Sequence, residues 1–336
     1  MTDTRDPGLV VVTGANGFIG RHLCQSLAAR GFRVRGITRS KAGIPIGNVE
    51  SAIANDLLDR DAIRAALHGA GTVIHLAARV HANNDGKSDA ASECKRINVD
   101  GTSLLIDEAV AAGAKGFLFI SSVKAVAGES DKILTADTPP QPVDAYGESK
   151  LEGERLVKVA ATRAGLHAPI LRLPNVYGPG MKANMITLFK VIEKGIPLPL
   201  GSIRNRRSFA FVNTAVGAIE ALITSEAAAH ETVYVSDEQD VSTPELIRHI
   251  AKALGRRARL VPVPAGLING MAGAGGLLSR FPPFHLKGDS LAAVLGSLFV
   301  DTYRLRETTG FVPPTTLETG MLRTAEWFKT RSQAKA

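Results

Sequence analysis

Residues 8–20 read GLVVVTGANGFIG, and this stretch decides the fold of the chain. A β-branched run precedes three glycines spaced as GxxGxxG, and the apolar periodicity that follows predicts a helix to Arg30. Glycines allow a tight turn and let backbone N–H groups approach a pyrophosphate, to which a helix N-terminus offers unpaired donors. The stretch therefore predicts a dinucleotide site, with an ordinary glycine turn as the alternative. Its predicted cofactor-binding residues are Gly14, Asn16, Gly17, Phe18, Ile19 and Gly20.

Strand-like and helix-like segments alternate through the first half of the chain. The predicted strands are 8–13, 32–38, 51–56, 71–78, 116–122 and 168–173, and the predicted helices include 59–68, 93–112 and 144–164. This alternation predicts an α/β fold with a parallel sheet covered on both faces. Prolines and glycines become frequent after Pro174. We therefore predict a cofactor-binding domain over 1–174 and a smaller, loop-rich part over 175–336, of which 212–237 returns to the first domain.

Composition limits the class of protein and its location. The 336 residues are 45% hydrophobic and 21% charged, which excludes a disordered or fibrous protein. A formal charge of +8 fits nucleic acid, an anionic membrane surface or small phosphorylated ligands. The two cysteines favour a reducing compartment, and we see neither a signal-peptide pattern nor an unbroken apolar span. We expect a cytoplasmic protein without stable membrane insertion, and histidines without HExxH-type spacing indicate no metal site.

The end of the second strand indicates the type of nucleotide. A carboxylate usually binds the ribose 2′-hydroxyl of NAD there, but no acidic residue occurs between Gly20 and Glu50. Arg39 and Lys41 follow Thr38 instead, and cationic side chains suit a 2′-phosphate. The sequence thus favours NADP (NADPH), leaves NAD possible, and has a solvated basic loop as its alternative interpretation.

Two further segments are expected to border the cofactor. Asp56 and Leu57 follow the third strand and could contact the adenine edge and ring face. Leu76, Ala77 and Ala78 end the fourth strand, where small residues permit close approach. The alternatives are that Asp56 caps a helix and that the alanines belong to the core.

Tyr146 and Lys150 form a YxxxK pair within a predicted helix, so their side chains share one face. An ammonium near a phenol favours the phenolate and lowers the phenol pKa. The tyrosine can then give or take the proton of a hydroxyl while hydride moves at the adjacent carbon. An isolated YxxxK is more often a surface pair, but its place behind a dinucleotide turn makes it specific.

Six segments together resemble the extended short-chain dehydrogenase/reductase family, the NAD(P)-dependent epimerases, dehydratases and ketoreductases of nucleotide sugars. They are TGANGFIG (13–20), DLLD (56–59), HLAA (75–78), FISS (119–122), YGESK (146–150) and LRLPNVYGPG (171–180). The resemblance implies a Rossmann doubly wound parallel sheet with a smaller α/β C-terminal substrate domain, and a homodimer formed through 93–112 and 144–164. It also implies catalysis by Ser122, Tyr146 and Lys150, with the lysine additionally holding the nicotinamide ribose.

The serine is the member of this set that the sequence leaves open. Counting back from Gly128 places Val123 at the position where the family has a hydroxyl. A shift of one residue restores Ser122, which we prefer because its hydroxyl can polarise a carbonyl, while Ser121 stays possible. The family's dehydratases resemble one another in a Thr-Asp-Glu run here. This chain has Val123-Lys124 instead, so we do not expect a 4,6-dehydratase.

The same resemblance indicates the substrate side. Asn175, Lys182 and Asn184 match the region where family members bind the nucleotide sugar. Arg207 is expected to meet the diphosphate, for which a planar donor fork is well shaped. The alternative is that Arg204, Arg206 and Arg207 form a solvated loop.

Three functions fit these observations. The first is NADPH-dependent reduction of a 4-keto nucleotide sugar, such as a UDP-linked 2-acetamido-2,6-dideoxy-4-hexulose, in polysaccharide biosynthesis. The second is a UDP-sugar 4-epimerase of the UDP-Glc/UDP-GlcNAc type with tightly bound NAD. The third is a non-catalytic NADP-binding sensor or nucleic-acid-binding protein. The intact YxxxK pair disfavours a sensor, and dispersed basic residues without a recognisable module disfavour nucleic acid. The acid-free end of the second strand favours reduction.

Overall fold

A computed structural model describes residues 4–39, 47–80, 90–182, 184–264 and 294–333. The strands are β1 (Val10–Thr13), β2 (Val34–Thr38), β3 (Val49–Ile53), β4 (Thr72–His75), β5 (Gly116–Ser122), β6 (Ile170–Leu173), β7 (Asn175–Tyr177), β8 (Phe209–Phe211) and β9 (Thr232–Tyr234). Within the described ranges, seven of them form one sheet in the order β3-β2-β1-β4-β5-β6-β9, and all six pairings in it are parallel.

Helices cover both faces of this sheet. They are α1 (Phe18–Ala29), α2 (Arg60–Leu67), α3 (Ala90–Lys95), α4 (Gly101–Ala111), α5 (Ala145–Ala164), α6 (Asn184–Glu193), α7 (Val212–Thr224), α8 (Thr243–Leu254), α9 (Tyr303–Thr309) and α10 (Leu317–Gln333). One apolar cluster joins the sheet to α1 and α7, and another joins it to α2, α4 and α5. The predicted doubly wound α/β fold is confirmed.

A second group of elements lies beyond β6. There β7 and β8 pair in parallel, and α6, α8 and α10 pack around them in a cluster that includes Tyr177, Phe189 and Phe328. Segment 212–237 instead belongs with the large sheet: β9 pairs with β6, and α7 packs on one face of the sheet. None of the helices in the described part of the chain is long and apolar enough to cross a membrane.

The helical segment predicted over 93–112 contains an irregularity. A π-helical turn, Arg96–Asp100, separates α3 from α4. This turn carries the buried Asn98, whose side chain makes three hydrogen bonds that are described with the site. Periodicity predicts the helical stretch but does not locate this turn.

Strand order positions the candidate site. The chain runs outward from β1 through β2 to β3, and then returns to place β4 on the other side of β1. In open parallel sheets, ligands bind at the carboxyl ends of the strands where the order reverses. That point lies here between β1 and β4, and β5 brings its own carboxyl end next to β4.

Helix α5 lies unusually close to β5. A Cβ atom on Gly153 would stand 2.6 Å from the Cζ atom of Phe119, so only glycine fits against this ring. Asp144 fixes the start of the helix, because its carboxylate accepts a 2.7 Å hydrogen bond from the N–H of Gly147. These two contacts set how far α5 stands from the sheet and where it begins.

We predict that Gly153→Ala lowers the free energy of unfolding by about 1 kcal/mol. The added methyl must displace the Phe119 ring, and such overpacking costs about 1–3 kcal/mol, more than the gain of up to about 1 kcal/mol in helix propensity. Denaturant unfolding measures the change. The control is Val159→Ala at an exposed position of the same helix, for which we expect a change within about 0.5 kcal/mol. Equal or greater stability of Gly153→Ala would contradict this account of the packing.

Candidate active site

The glycine turn brings its backbone against the end of β4. Gly14 has a φ of +69°, and a Cβ atom there would stand 2.9 Å from the backbone nitrogen of Ala77. The N–H of Gly17 donates a 2.8 Å hydrogen bond to the carbonyl of Gly14. A Cβ atom on Gly20 would overlap that same carbonyl oxygen. The three glycines are therefore required by close backbone approach.

The turn has the donors that a pyrophosphate needs. No side chain caps α1, whose first N–H groups follow the exposed Gly17. The Oδ1 atom of Asn16 is buried without a hydrogen-bond partner among the described residues. A helix N-terminus without a cap fits the pyrophosphate of a dinucleotide, and the unpaired amide oxygen, which can only accept, fits a hydroxyl donor of the same ligand. The side chains of Phe18 and Ile19 pack instead against the apolar cluster beyond β6. Ile19 also contacts the apolar cluster that joins the sheet to α1 and α7.

The predicted adenosine side is only partly described. Arg39 lies exposed just beyond β2, and Lys41 lies outside the described residues. Asp56 does not cap a helix: it accepts from the N–H of Leu58 and forms a 2.8 Å ion pair with Arg96. The hydrogen bond from Arg96 holds the pKa of this carboxyl below its usual range. The capping role belongs to Asp59, which starts α2.

The residues that follow β3 and β4 differ in their surroundings. Leu57 packs on Gly101, where an added Cβ atom would stand 3.1 Å from the Cβ atom of Leu57. Leu76, Ala77 and Ala78 are half-buried at the carboxyl end of β4. The two alanines are absent from the buried core of the described residues, so the core interpretation does not apply to them.

A chain of hydrogen bonds joins β1, β4 and α4 behind the glycine turn. The N–H of Ala77 donates to Oγ1 of Thr13 at 3.1 Å, and Thr13 Oγ1 lies 2.7 Å from Nδ1 of the buried His75. Nε2 of His75 lies 2.9 Å from Oγ1 of Thr102, which donates to the carbonyl of Asn98 at 2.6 Å. Because the Thr102 hydroxyl donates onward, His75 donates from Nε2 and accepts at Nδ1. Burial lowers the pKa of His75 to about 3, so the ring is neutral.

The side chain of Asn98 extends this support to the catalytic helix. Its Oδ1 accepts from the N–H of Arg79, and its Nδ2 donates to the Arg79 carbonyl and to Oγ of Ser149 at 2.9 Å. Ser149 donates in turn to the carbonyl of Tyr146. The π-helical turn thus connects the loop after β4 with the first turn of α5.

The phenol of Tyr146 meets the hydroxyl of Ser122. The Ser122 hydroxyl favours the phenolate of Tyr146 and so acts to lower the phenol pKa. Burial has the larger effect and raises the pKa of Tyr146 to about 12. The expected net lowering of the phenol pKa is therefore wrong for this arrangement, since desolvation disfavours the charged phenolate and has the largest effect.

The neighbouring residues of β5 face other groups. Ser121 Oγ donates to Oε1 of Glu154 at 2.5 Å, within the buried contact of α5 on the sheet. Val123 is buried among apolar side chains that include Val126 and Leu134. Of the three candidate positions, Ser122 is the one whose side chain contacts Tyr146.

Lys150, one helical turn after Tyr146 on α5, is buried. Its Nζ donates a 2.8 Å hydrogen bond to the carbonyl of Ile120 and lies 4.8 Å from the ring centroid of Phe119. Desolvation lowers the pKa of Lys150 to about 8, and the charge of Glu154 opposes that decrease. The ammonium has three donors, so two remain for other acceptors.

The substrate-side predictions separate into two groups. Asn175 in β7 and Lys182 are exposed, and the side chain of Asn184 lies outside the described residues. Arg207 is buried, its Nη1 donates to the carbonyl of Gly296 at 2.8 Å, and burial lowers its pKa. Among the described residues no carboxylate forms an ion pair with Arg207. A solvated loop therefore describes the exposed Arg206, which pairs with Asp240, but not Arg207.

Sequence reasoning missed the side chains that support the site. His75, Asn98, Glu154 and Arg172 are buried polar residues, each with hydrogen-bonded partners from other elements. A signal was available for two of them: Arg172 interrupts an apolar strand, and Glu154 follows Lys150 at the helical spacing of four residues. The partners themselves depend on tertiary structure.

Comparison with known proteins shows which family has this arrangement. The model of the NAD dependent epimerase/dehydratase family matches residues 10–235. This chain belongs to that family. It is 33% identical over 334 residues to a UDP-glucose 4-epimerase of Vibrio cholerae, with 97% of each chain covered. It is 32% identical over 256 residues to a 3-diazoavenalumate denitrifying reductase of a Streptomyces species, covering 73% of this chain and 81% of the relative.

A solved structure extends the similarity to the whole fold. MoeE5 in complex with UDP-glucuronic acid and NAD superposes with a TM-score of 0.75 at 27% identity, covering 97% of this chain and 100% of MoeE5. The predicted resemblance to this family of enzymes is thus confirmed.

We predict that His75 makes folding stability fall in mild acid. Its pKa is about 3 in the folded chain and about 6.5 when unfolded, so between these values the unfolded state binds more protons. Stability is therefore lost as pH falls through about 6.5, by about 2 kcal/mol from this residue between pH 7 and pH 5.

Denaturant unfolding at several pH values measures the effect. His75→Gln should lower stability at pH 7 and also flatten its decrease toward pH 5. The exposed His230→Gln is the control and should keep the wild-type slope. A slope that His75→Gln leaves unchanged would show that His75 does not cause it.

Proposed function

We propose that this chain catalyses hydride transfer at C4 of a UDP-linked sugar with a nicotinamide dinucleotide. The observation that carries this proposal is that Tyr146 interacts with Ser122 at the carboxyl end of β5, while Lys150, one helical turn after Tyr146, is buried against the Ile120 carbonyl of the same strand. This family places such chemistry on nucleotide sugars, and the V. cholerae relative and the MoeE5 complex both involve a UDP-sugar.

The cofactor fits the residues of the glycine turn. Gly14, Gly17 and Gly20 let the backbone of the turn fold tightly against itself and against β4, and the N-terminus of α1 would donate to the pyrophosphate. Ala77 and Ala78 leave room beside β4, and the free donors of Lys150 suit the nicotinamide ribose. When bound, the cofactor supplies the hydride acceptor or donor.

Proton movement is the role proposed for Ser122 and Tyr146. The Ser122 hydroxyl orients and polarises the C4 oxygen, and Tyr146 takes a proton from a C4 hydroxyl or gives one to a C4 carbonyl. A phenol with a pKa near 12 is protonated at neutral pH, and this is the state that reduction of a carbonyl requires. Lys150, as an ammonium, stabilises the phenolate that follows.

Reduction of a 4-keto sugar with NADPH is our first candidate reaction, in polysaccharide biosynthesis. Its support is the end of β2, where Arg39 is exposed and no acidic residue is available for an NAD ribose. A UDP-linked 2-acetamido-2,6-dideoxy-4-hexulose is the proposed substrate. Arg207 is proposed to bind its diphosphate, because a buried guanidinium without a carboxylate partner in the described part of the chain needs an anion.

A 4-epimerase that retains NAD is the second candidate. The full-length similarity to the V. cholerae epimerase and the NAD in the MoeE5 complex favour it. The same site residues would serve, with hydride returned to the opposite face of one sugar.

We also propose the homodimer through α4 and α5, on which Val110 and Val159 are exposed; native mass spectrometry tests it.

We predict that Tyr146→Phe lowers kcat by at least about a hundredfold, as expected for loss of a general acid. Cofactor affinity should stay unchanged, because the phenol ring remains. Steady-state turnover and cofactor fluorescence titration measure the two quantities. Tyr303→Phe at an exposed position is the control. Full activity of Tyr146→Phe would contradict the proposed site.

Cofactor consumption separates the two reactions. We expect NADPH to be oxidised in step with the reduction of a UDP-4-keto sugar. We also expect Arg39→Ala to weaken NADPH binding about tenfold through loss of a charge-assisted hydrogen bond, without affecting NADH binding. The exposed Arg33→Ala, before β2, is the control. Interconversion of UDP-GlcNAc and UDP-GalNAc without NADPH consumption would establish the epimerase. Tighter binding of NAD than of NADP would exclude the role of Arg39.

A further inference from the structure

A buried ion pair lies one helical turn beyond Lys150. Arg172 Nε and Nη2 donate to Glu154 Oε1 and Oε2 at 2.9 and 2.7 Å, and both side chains are nearly fully buried. Ser121 Oγ donates to the same Oε1 atom, and Arg172 Nη1 donates to the Tyr234 hydroxyl at 3.1 Å. Every polar atom of the pair is used, so the carboxylate is held in one orientation.

This network joins α5 to three neighbouring strands. Ser121 of β5 pairs in register with Arg172 of β6, and Arg172 pairs with Tyr234 of β9. Glu154 of α5 is bonded directly to Ser121 and Arg172, and through Arg172 to Tyr234. Desolvation makes a buried ion pair a weak source of stability, so stability alone does not account for it.

The spacing along α5 relates the ion pair to the proposed catalytic residues. Tyr146, Lys150 and Glu154 follow one another at intervals of four, on the face that meets β5. Their contacts are with Ser122, the Ile120 carbonyl and Ser121. Three successive turns of the helix are therefore tied to three successive residues of one strand.

We propose that Glu154 is a positioning residue for the hydride-transfer site: clamped by Arg172 and Ser121, it fixes α5 on β5 and holds its carboxylate one helical turn from the buried Lys150. This inference rests on the proposed function for its catalytic meaning. The clamp itself is a property of the folded chain.

The charges around Lys150 support this role. On its own helix the charge of Glu154 acts on Lys150, and from β4 the neighbouring His75 is neutral. Arg172 on β6 is bonded to the Glu154 carboxylate. Glu154 is thus the anion that opposes the loss of the Lys150 proton, and without it desolvation lowers the pKa of Lys150 further below about 8.

The test uses Glu154→Gln in the full chain. With ¹³C-lysine labelling, the Cε resonance of Lys150 is assigned by its loss in Lys150→Met and followed against pH. We expect the Lys150 titration to move to lower pH in Glu154→Gln. The control is Glu152→Gln on the same helix, whose carboxylate pairs with Arg155 at the surface, and it should leave the titration unchanged.

A second variant covers the case in which an unpaired buried Arg172 prevents folding. Glu154→Gln combined with Arg172→Met removes both charges, and apolar replacement of a buried pair is often tolerated. A smaller downward movement of the Lys150 titration is expected, because loss of the Arg172 cation partly offsets loss of the Glu154 carboxylate. A wild-type titration in the folded variant would overturn the proposal.

Turnover then tests the catalytic consequence. The rate at pH 8 relative to that at pH 6 should fall about fivefold when the Lys150 pKa moves one unit down from about 8, because the ammonium fraction at pH 8 drops from about a half to about a tenth. A uniform decrease in rate at every pH, with an unmoved titration, would show a purely structural ion pair. Because the resonance reports on Lys150 without any substrate, failure of the sugar-nucleotide function leaves this part of the test intact.

Discussion

Close contact between α5 and β5 is the interaction on which the candidate site depends. Gly153 lets the helix lie against the Phe119 ring, and the same closeness buries Lys150 so that its ammonium reaches the Ile120 carbonyl. Burial at this contact acts on two proton-carrying groups in opposite directions, because it disfavours both the phenolate and the ammonium. The pKa values of Tyr146 and Lys150 therefore follow from how the helix packs as well as from their proximity.

The two ligand-binding regions use different physical means. At the glycine turn, backbone N–H groups and the end of α1 offer partial positive charge, and the exposed Arg21 donates from Nε to the Asn16 carbonyl. On the substrate side, Arg207 is a full charge held in a buried position by a single backbone carbonyl. Nearby, Arg206 is neutralised by Asp240 at the surface. Desolvation thus distinguishes two adjacent arginines that composition treats alike.

Sequence reasoning reached the fold and the proposed catalytic residues because these depend on local patterns. Strand β5 occupies the predicted range 116–122, and α5 begins directly after Asp144, where the prediction placed it. Sequence reasoning did not predict which side chains of distant elements contact each other. That Ser121 faces Glu154 while Ser122 faces Tyr146 follows from the position of α5 on the sheet, which no local pattern specifies. The raised pKa of Tyr146 was missed for the same reason, since burial is a tertiary property.

The chain of hydrogen bonds through His75 has a consequence for proton traffic. It begins at the peptide N–H of Ala77 and ends at the peptide carbonyl of Asn98, so neither end exchanges protons readily. With a pKa near 3, the imidazole between them does not accept an additional proton at neutral pH. The direction of each hydrogen bond in this chain is fixed, so the chain cannot conduct protons. Its role is structural support, and protons that reach or leave Tyr146 must travel by another route.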